Sequence, residues 1–179
     1  MTFTKGGVDT AMTAVSGGDA SSASWQAGMF YMVLPDTGSN KTLKWDWAGT
    51  GTLNNGPIVS ITFWKGINTS GAVRGSGGGQ NDSNTPYTSS SVTAQSGDLI
   101  VAWVAGFAGS EATINSWSNL SLLTQVARTA GNADGAWATG SPSGNIVVEA
   151  STDTNFEDGG IVAISLIPGI GSGGNVKFR

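Results

Sequence analysis

Large apolar residues alternate with small or polar ones in two widely separated stretches of the chain. In "GPIVSITFWKGI" (Gly56–Ile67), Val59, Ile61 and Phe63 alternate with Ser60 and Thr62. In "GGIVAISLIPGI" (Gly159–Ile170), Val162, Ile164 and Leu166 alternate with Ala163 and Ser165. A period of two with one bulky face predicts a β-strand in each. The stretches also echo each other. Six of their twelve positions are identical (Gly56/Gly159, Ile58/Ile161, Val59/Val162, Ile61/Ile164, Gly66/Gly169, Ile67/Ile170).

Walking backwards from each stretch gives further pairs in the same order. "NKTLKWDW" (Asn40–Trp47) faces "NIVVEAST" (Asn145–Thr152), "MTAV" (Met12–Val15) faces "LTQV" (Leu123–Val126), and "WQAG" (Trp25–Gly28) faces "WATG" (Trp137–Gly140). The pattern predicts an internal duplication. It sets a first repeat at 1–67, a Gly/Ser/Asn-rich connector at 68–87, a second repeat at 88–170 and a flexible tail at 171–179. The second repeat opens with "TSSSVTAQSGDLIVAWVAGF" (Thr88–Phe107), which has no counterpart in the first. The first repeat therefore reads as N-terminally truncated, with a sheet edge or apolar face left uncovered; either a neighbouring subunit covers it or this chain is the later portion of a longer protein.

Strands are expected at "FYMVLP", "TLKWDW", "IVSITFW", "SSVTA", "DLIVAWVAGF", "LLTQVA", "NIVVEA" and "IVAISLI", together with "MTFT" and "DTAMTAV". They recur about every 8–12 residues with Gly, Ser or Asn between them, the spacing of a sandwich or barrel. No window sustains helical apolar spacing, and "NSWSNLSLLTQ" (Asn115–Gln125) comes nearest, as a short turn. The expected fold class is all-β, an antiparallel β-sandwich of jelly-roll or immunoglobulin-like type built from two related halves.

Composition narrows the function. Charged residues make up 11% of the 179, against roughly 25% in an ordinary soluble domain. Hydrophobic residues at 39% and seven tryptophans can supply a core, so disorder is excluded. The net charge of −4 and eight scattered basic residues exclude a phosphate-neutralising stripe, hence nucleic-acid binding. With neither Cys nor His, disulfides, Cys/His zinc sites and Ser–His or Cys–His catalysis are excluded. The longest nearly apolar run, Leu99–Gly109, is too short to cross a bilayer. "SGGGQND" lacks the Gly-Lys-Ser/Thr of a phosphate loop.

The elements "MTFTKGGVDTAMTAV", "AGMFYMVLP", "GDLIVAWVA" and "IVAISLIPG" resemble those of β-sandwich domains in phage virion proteins and some bacterial surface proteins. The likeness covers most of residues 1–169, through motifs that are structural. Such sequences carry strands before the "TFxGG" element, and this chain does not. The resemblance implies a virion role in a capsid decoration protein, head fibre or tail fibre, and it transfers no catalytic residue.

Four tryptophans are candidates for an interface or for stacking on a sugar ring: Trp25, Trp117 and Trp137, near loops, and Trp64, opposite the bulky face of its strand. Burial at the sandwich rim is the alternative for each. "DTNFED" (Asp153–Asp158) alternates oxygen ligands as a Ca²⁺ loop would, but it lacks the length and terminal Glu of an EF-hand and is read as a solvated hairpin loop. No cofactor is expected. Asp46, Asp98, Glu111 and Glu149 are available carboxylates for glycoside hydrolysis, which needs two about 5–10 Å apart across a cleft. Nothing in their sequence context suggests a raised pKa, and no enzyme activity is expected. The expected function is a non-enzymatic structural protein of a virion surface, made in the host cytoplasm. It oligomerises, with a trimer favoured, and partners other virion proteins such as a capsid protein. The alternative is a carbohydrate-binding adhesin for a host surface glycan.

Overall fold

The computed structural model describes residues 2–5, 8–21, 26–33, 42–44, 60–62, 64–80, 85–107, 112–126, 133–156, 158–169 and 177–178. These residues are all-β and contain no helix. The strands in chain order are β1 (Thr2–Lys5), β2 (Val8–Ala11), β3 (Thr13–Ser21), β4 (Gln26–Tyr31), β5 (Thr42–Lys44), β6 (Trp64–Lys65), β7 (Val73–Gln80), β8 (Tyr87–Thr88) and β9 (Val92–Ala94). They continue with β10 (Leu99–Phe107), β11 (Ile114–Trp117), β12 (Ser121–Val126), β13 (Ala133–Gly140), β14 (Gly144–Ile146), β15 (Glu149–Thr152), β16 (Asp158–Leu166) and β17 (Lys177–Phe178). The main sheet has five antiparallel strands in the order β12-β13-β10-β16-β7. Smaller sheets are β11-β15-β8, β14-β9, β3-β4, β2-β1-β5 and β17-β6. The fold is thus the antiparallel, sandwich-type all-β class that the strand pattern predicts.

The central strands explain their own composition. β10 and β16 are buried along almost their whole length, on both faces, so they read as continuous apolar runs rather than strict alternations. On one face, Ile100, Ala102, Val104, Ala136, Ile161 and Ala163 pack against Tyr87, Val92, Ala94, Ile114, Val148 and Ala150 of the second layer. On the other, Val101, Trp137, Val162, Ile164 and Leu166 pack against Val15 of β3 and Met29 of β4. Phe156 closes the first core. Its ring lies over Gly106 and Gly159, register partners on β10 and β16, where an added Cβ would come within 2.3 and 2.6 Å of it. The Phe156 amide donates to the Tyr87 hydroxyl at 2.7 Å, so the plug also satisfies a buried backbone N–H.

Several expectations need correction. The connector at 68–87 is not a free crossover, because its glycine-rich middle is β7, paired along β16 from Gly160↔Gln80 to Leu166↔Val73. Its glycines are a packing device. Gly75, Gly77 and Gly79 share one face, and an added Cβ would come within 2.7 Å of Thr93 O, 2.4 Å of Ser90 O and 1.8 Å of Thr88 O. Without side chains on that face the segment carrying β8 and β9 lies directly on the strand, with Ser90 N–H donating to Gly78 O at 3.0 Å.

"NSWSNLSLLTQ" runs through two strands of different sheets, β11 and β12, and the turn between them holds Asn119 at φ 60°. "NIVVEA" is two strands in different sheets, since β14 pairs with β9 and β15 pairs with β11 and β8. Among the described residues the duplication gains no support. β16 is a nine-residue central strand; of its echo, β6 and residues 60–62 are described, and 56–59 and 63 lie outside the described residues. The β3-β4 hairpin covers a face of the main sheet instead of forming an equivalent one. The echoing ends do meet: Ile67 bridges Pro168, and Gly169 N–H donates to Gly66 O at 2.7 Å. In the tail, residues 177–178 pair with β6, and 171–176 lie outside the described residues.

Candidate functional site

Of the tryptophans proposed for contact, Trp64 and Trp137 pack into one core and Trp117 into the other. Trp137 lies in β13, where it is the register partner of Trp103 on β10, with ring centroids 4.9 Å apart and tilted by 45°. Gly135, two positions before it, leaves room for the Trp103 ring, which an added Cβ would approach to 2.3 Å. Trp137 is 8% exposed, and its Nε1–H donates to Ser60 Oγ at 2.6 Å. Trp64 is half-buried against the same core, and its Nε1–H donates to Thr62 Oγ1 at 3.0 Å. Trp117 sits half-buried against the opposite core. Its enclosed Nε1–H has no hydrogen-bond partner among the described residues. Trp25, Trp45 and Trp47 lie outside the described residues. Sequence spacing put Trp137 near a loop. The small residues around it in "ADGAWATG" conceal a strand, because the aromatic pair above them supplies the bulk.

Ser60 anchors residues 60–62 to the Trp103/Trp137 pair. Ser60→Ala would leave the nearly buried indole N–H without its acceptor, and we expect a loss of about 1–2 kcal/mol in folding free energy. Chemical denaturation followed by tryptophan fluorescence measures it.

Of the carboxylates that sequence offered for catalysis, Asp98 holds the scaffold instead. Asp98 is 1% exposed. Its Oδ2 accepts from Arg74 Nε at 2.5 Å, Gln95 N at 2.9 Å and Ser165 Oγ at 3.0 Å, and Oδ1 accepts from Arg74 Nη2 at 3.2 Å. Burial pushes this carboxyl up, but the guanidinium, the Gln95 amide and the Ser165 hydroxyl outweigh it and hold Asp98 below its ordinary value. Arg74 reaches it because the ladder slips there. Val73 pairs with Leu166 and Gly75 with Ser165, so Arg74 is the extra residue of a bulge. Sequence reasoning missed this cluster. Its signal was the single cation in the uncharged run from Asn68 to Gln80.

Asp153, the first residue of the loop read as a solvated hairpin, accepts from Thr113 N at 2.7 Å, while its own N–H donates to Thr113 O at 3.0 Å. That amide holds its carboxyl below the ordinary value. Phe156 of the same loop is core. Asp158 begins β16, and Glu157 lies outside the described residues. Asp46 and Glu111 also lie outside them, and Glu149 is exposed on β15. Among the described residues no three metal-ligating side chains gather in one place.

Two adjoining shallow clefts, of about 280 and 390 Å³, run between the β3-β4 hairpin and β7. Thr13 and Tyr31 line both, and the one charged lining residue is Arg74, held by Asp98. The lining thus offers hydroxyls and apolar surface, with no pair of groups arranged for acid–base or nucleophilic chemistry.

The five-stranded sheet ends differently on its two sides. At β7 the Ser76 hydroxyl donates to Ser16 O of β3, and Gly78 O receives Ser90 N–H. At β12 the described residues provide no further strand, and Leu122 is 49% exposed. Comparison with protein-family models, curated proteins and solved structures found no match to this chain.

Proposed function

We propose that this chain is a non-enzymatic structural protein of a phage virion, a capsid decoration or fibre protein that oligomerises on the particle surface beside other virion proteins. One observation carries the reading. The buried carboxylate Asp98, the group best placed for chemistry by its surroundings, is saturated by scaffold donors. A charge-poor sandwich whose buried carboxylate is held by scaffold donors works through its surfaces, and contacts made by such surfaces respond weakly to salt.

The sugar-binding alternative needs exposed indole faces. Trp64 and Trp117 are half-buried and Trp137 is nearly buried, which favours the structural reading over it. Proteolytic digests of purified particles from the source material test the proposal. Peptides of this chain are expected in fixed ratio to the capsid protein across particle preparations. Recovery confined to the soluble lysate overturns it.

A further inference from the structure

We infer that the outer edge of β12 pairs antiparallel with β12 of a second copy, joining two main sheets into one. This rests on the structural reading above and names the contact through which the chain assembles. Natural sheets protect an edge with lysines, prolines, or a covering segment. β7 is covered in that way, by Ser16 and Ser90. β12, "SLLTQV", contains no charge and no proline. Its irregularity between Leu122 and Thr124 bends the strand but leaves the backbone groups on its outer side without a ladder among the described residues.

The occupant follows from complementarity. A chain of net charge −4 repels its own copies except where its surface is neutral, and β12 is a neutral edge. An antiparallel edge is its own hydrogen-bonding complement, since a two-fold axis sets each outward N–H of one copy against a C=O of the other. Pairing covers Leu122, exposed at 49%. Five strands from each copy give a continuous sheet of ten, within the size that open twisted sheets reach. The symmetry closes after two copies, so the unit expected is a dimer rather than a trimer.

Light scattering on the full chain over a concentration series tests this, with Leu122→Lys and Thr124→Lys beside the parent. Both side chains are exposed on β12. Each lysine enters the interface twice, and we expect about tenfold weaker self-association from either. The cysteine-free chain allows a second readout. Thr124→Cys, in the middle of the strand, is expected to form a covalent dimer on mild oxidation, and Ser143→Cys, exposed on another loop, to remain monomeric on a reducing-agent-free gel. If a lysine variant fails to fold, the cysteine pair decides. A parent that is monomeric throughout the series overturns the pairing, while the particle digests decide the virion reading separately. An oligomer that both lysines leave intact, or equal cross-linking at 143 and 124, overturns the pairing and leaves the virion reading standing.

Discussion

Alanine at Gly79 is expected to cost about 3 kcal/mol or more in folding free energy, at the upper end of what overpacking does. The new methyl would lie 1.8 Å from Thr88 O and 2.9 Å from Thr88 C. Both are backbone atoms, so no rotamer change relieves the clash. Either β8 lifts from β7 or the β7–β16 ladder distorts. The effect should fall along the strand with the space available, from Gly79 through Gly77, at 2.4 Å, to Gly75, at 2.7 Å. Gly71→Ala, with nothing within 4 Å, is the control and should be close to neutral. Denaturation midpoints of the four variants check the order. Equal stability of Gly79→Ala and Gly71→Ala would refute the close packing of this layer.

The second large effect is at Asp98. Asp98→Ala removes four acceptor contacts and leaves Arg74 and Ser165 facing an apolar layer. Breaking a buried pair from one side costs about 3–5 kcal/mol. Arg74 is 26% exposed and can turn part of its guanidinium to water, so about 3 kcal/mol is expected. Arg74→Met should cost at least as much, because it strands a carboxylate that is 1% exposed. Acid should act in the same way. The folded carboxyl titrates below its unfolded value, so its contribution is fully present above about pH 4 and is lost as pH falls through the folded value. Unfolding measured from pH 7 to pH 2 should show Asp98→Ala losing less stability than the parent over the acid limb.

Legibility along the sequence followed side-chain bulk. β10, β12 and β16 were plain because their apolar residues stand in runs or alternations that a sheet demands. β7 was not, since a strand whose inner face is glycine has no bulk to alternate; its cue was the spacing Gly75, Gly77, Gly79, a period of two written in absences. β13 was hidden similarly, its Gly135 and Ala136 making way for Trp103 and the first core. "NIVVEA" read as one strand because composition does not mark where a chain leaves one sheet for another. Of the candidate site, the carboxylates were visible but their partners were not. Arg74 and Ser165 lie 24 and 67 residues from Asp98, and such pairings depend on register that a single sequence does not show.

β16 stands between β10 and β7 in space yet follows both in the chain. During synthesis β10 gains its partner β13 first, and the ladders that join β10 and β7 through the strand between them wait until residues 158–166 emerge. The joining of β7 to the β12-β13-β10 part of the main sheet is therefore late, by pairings of high sequence separation that form slowly. A chain cut short before Asp158 would lose the seam of the sheet rather than its margin.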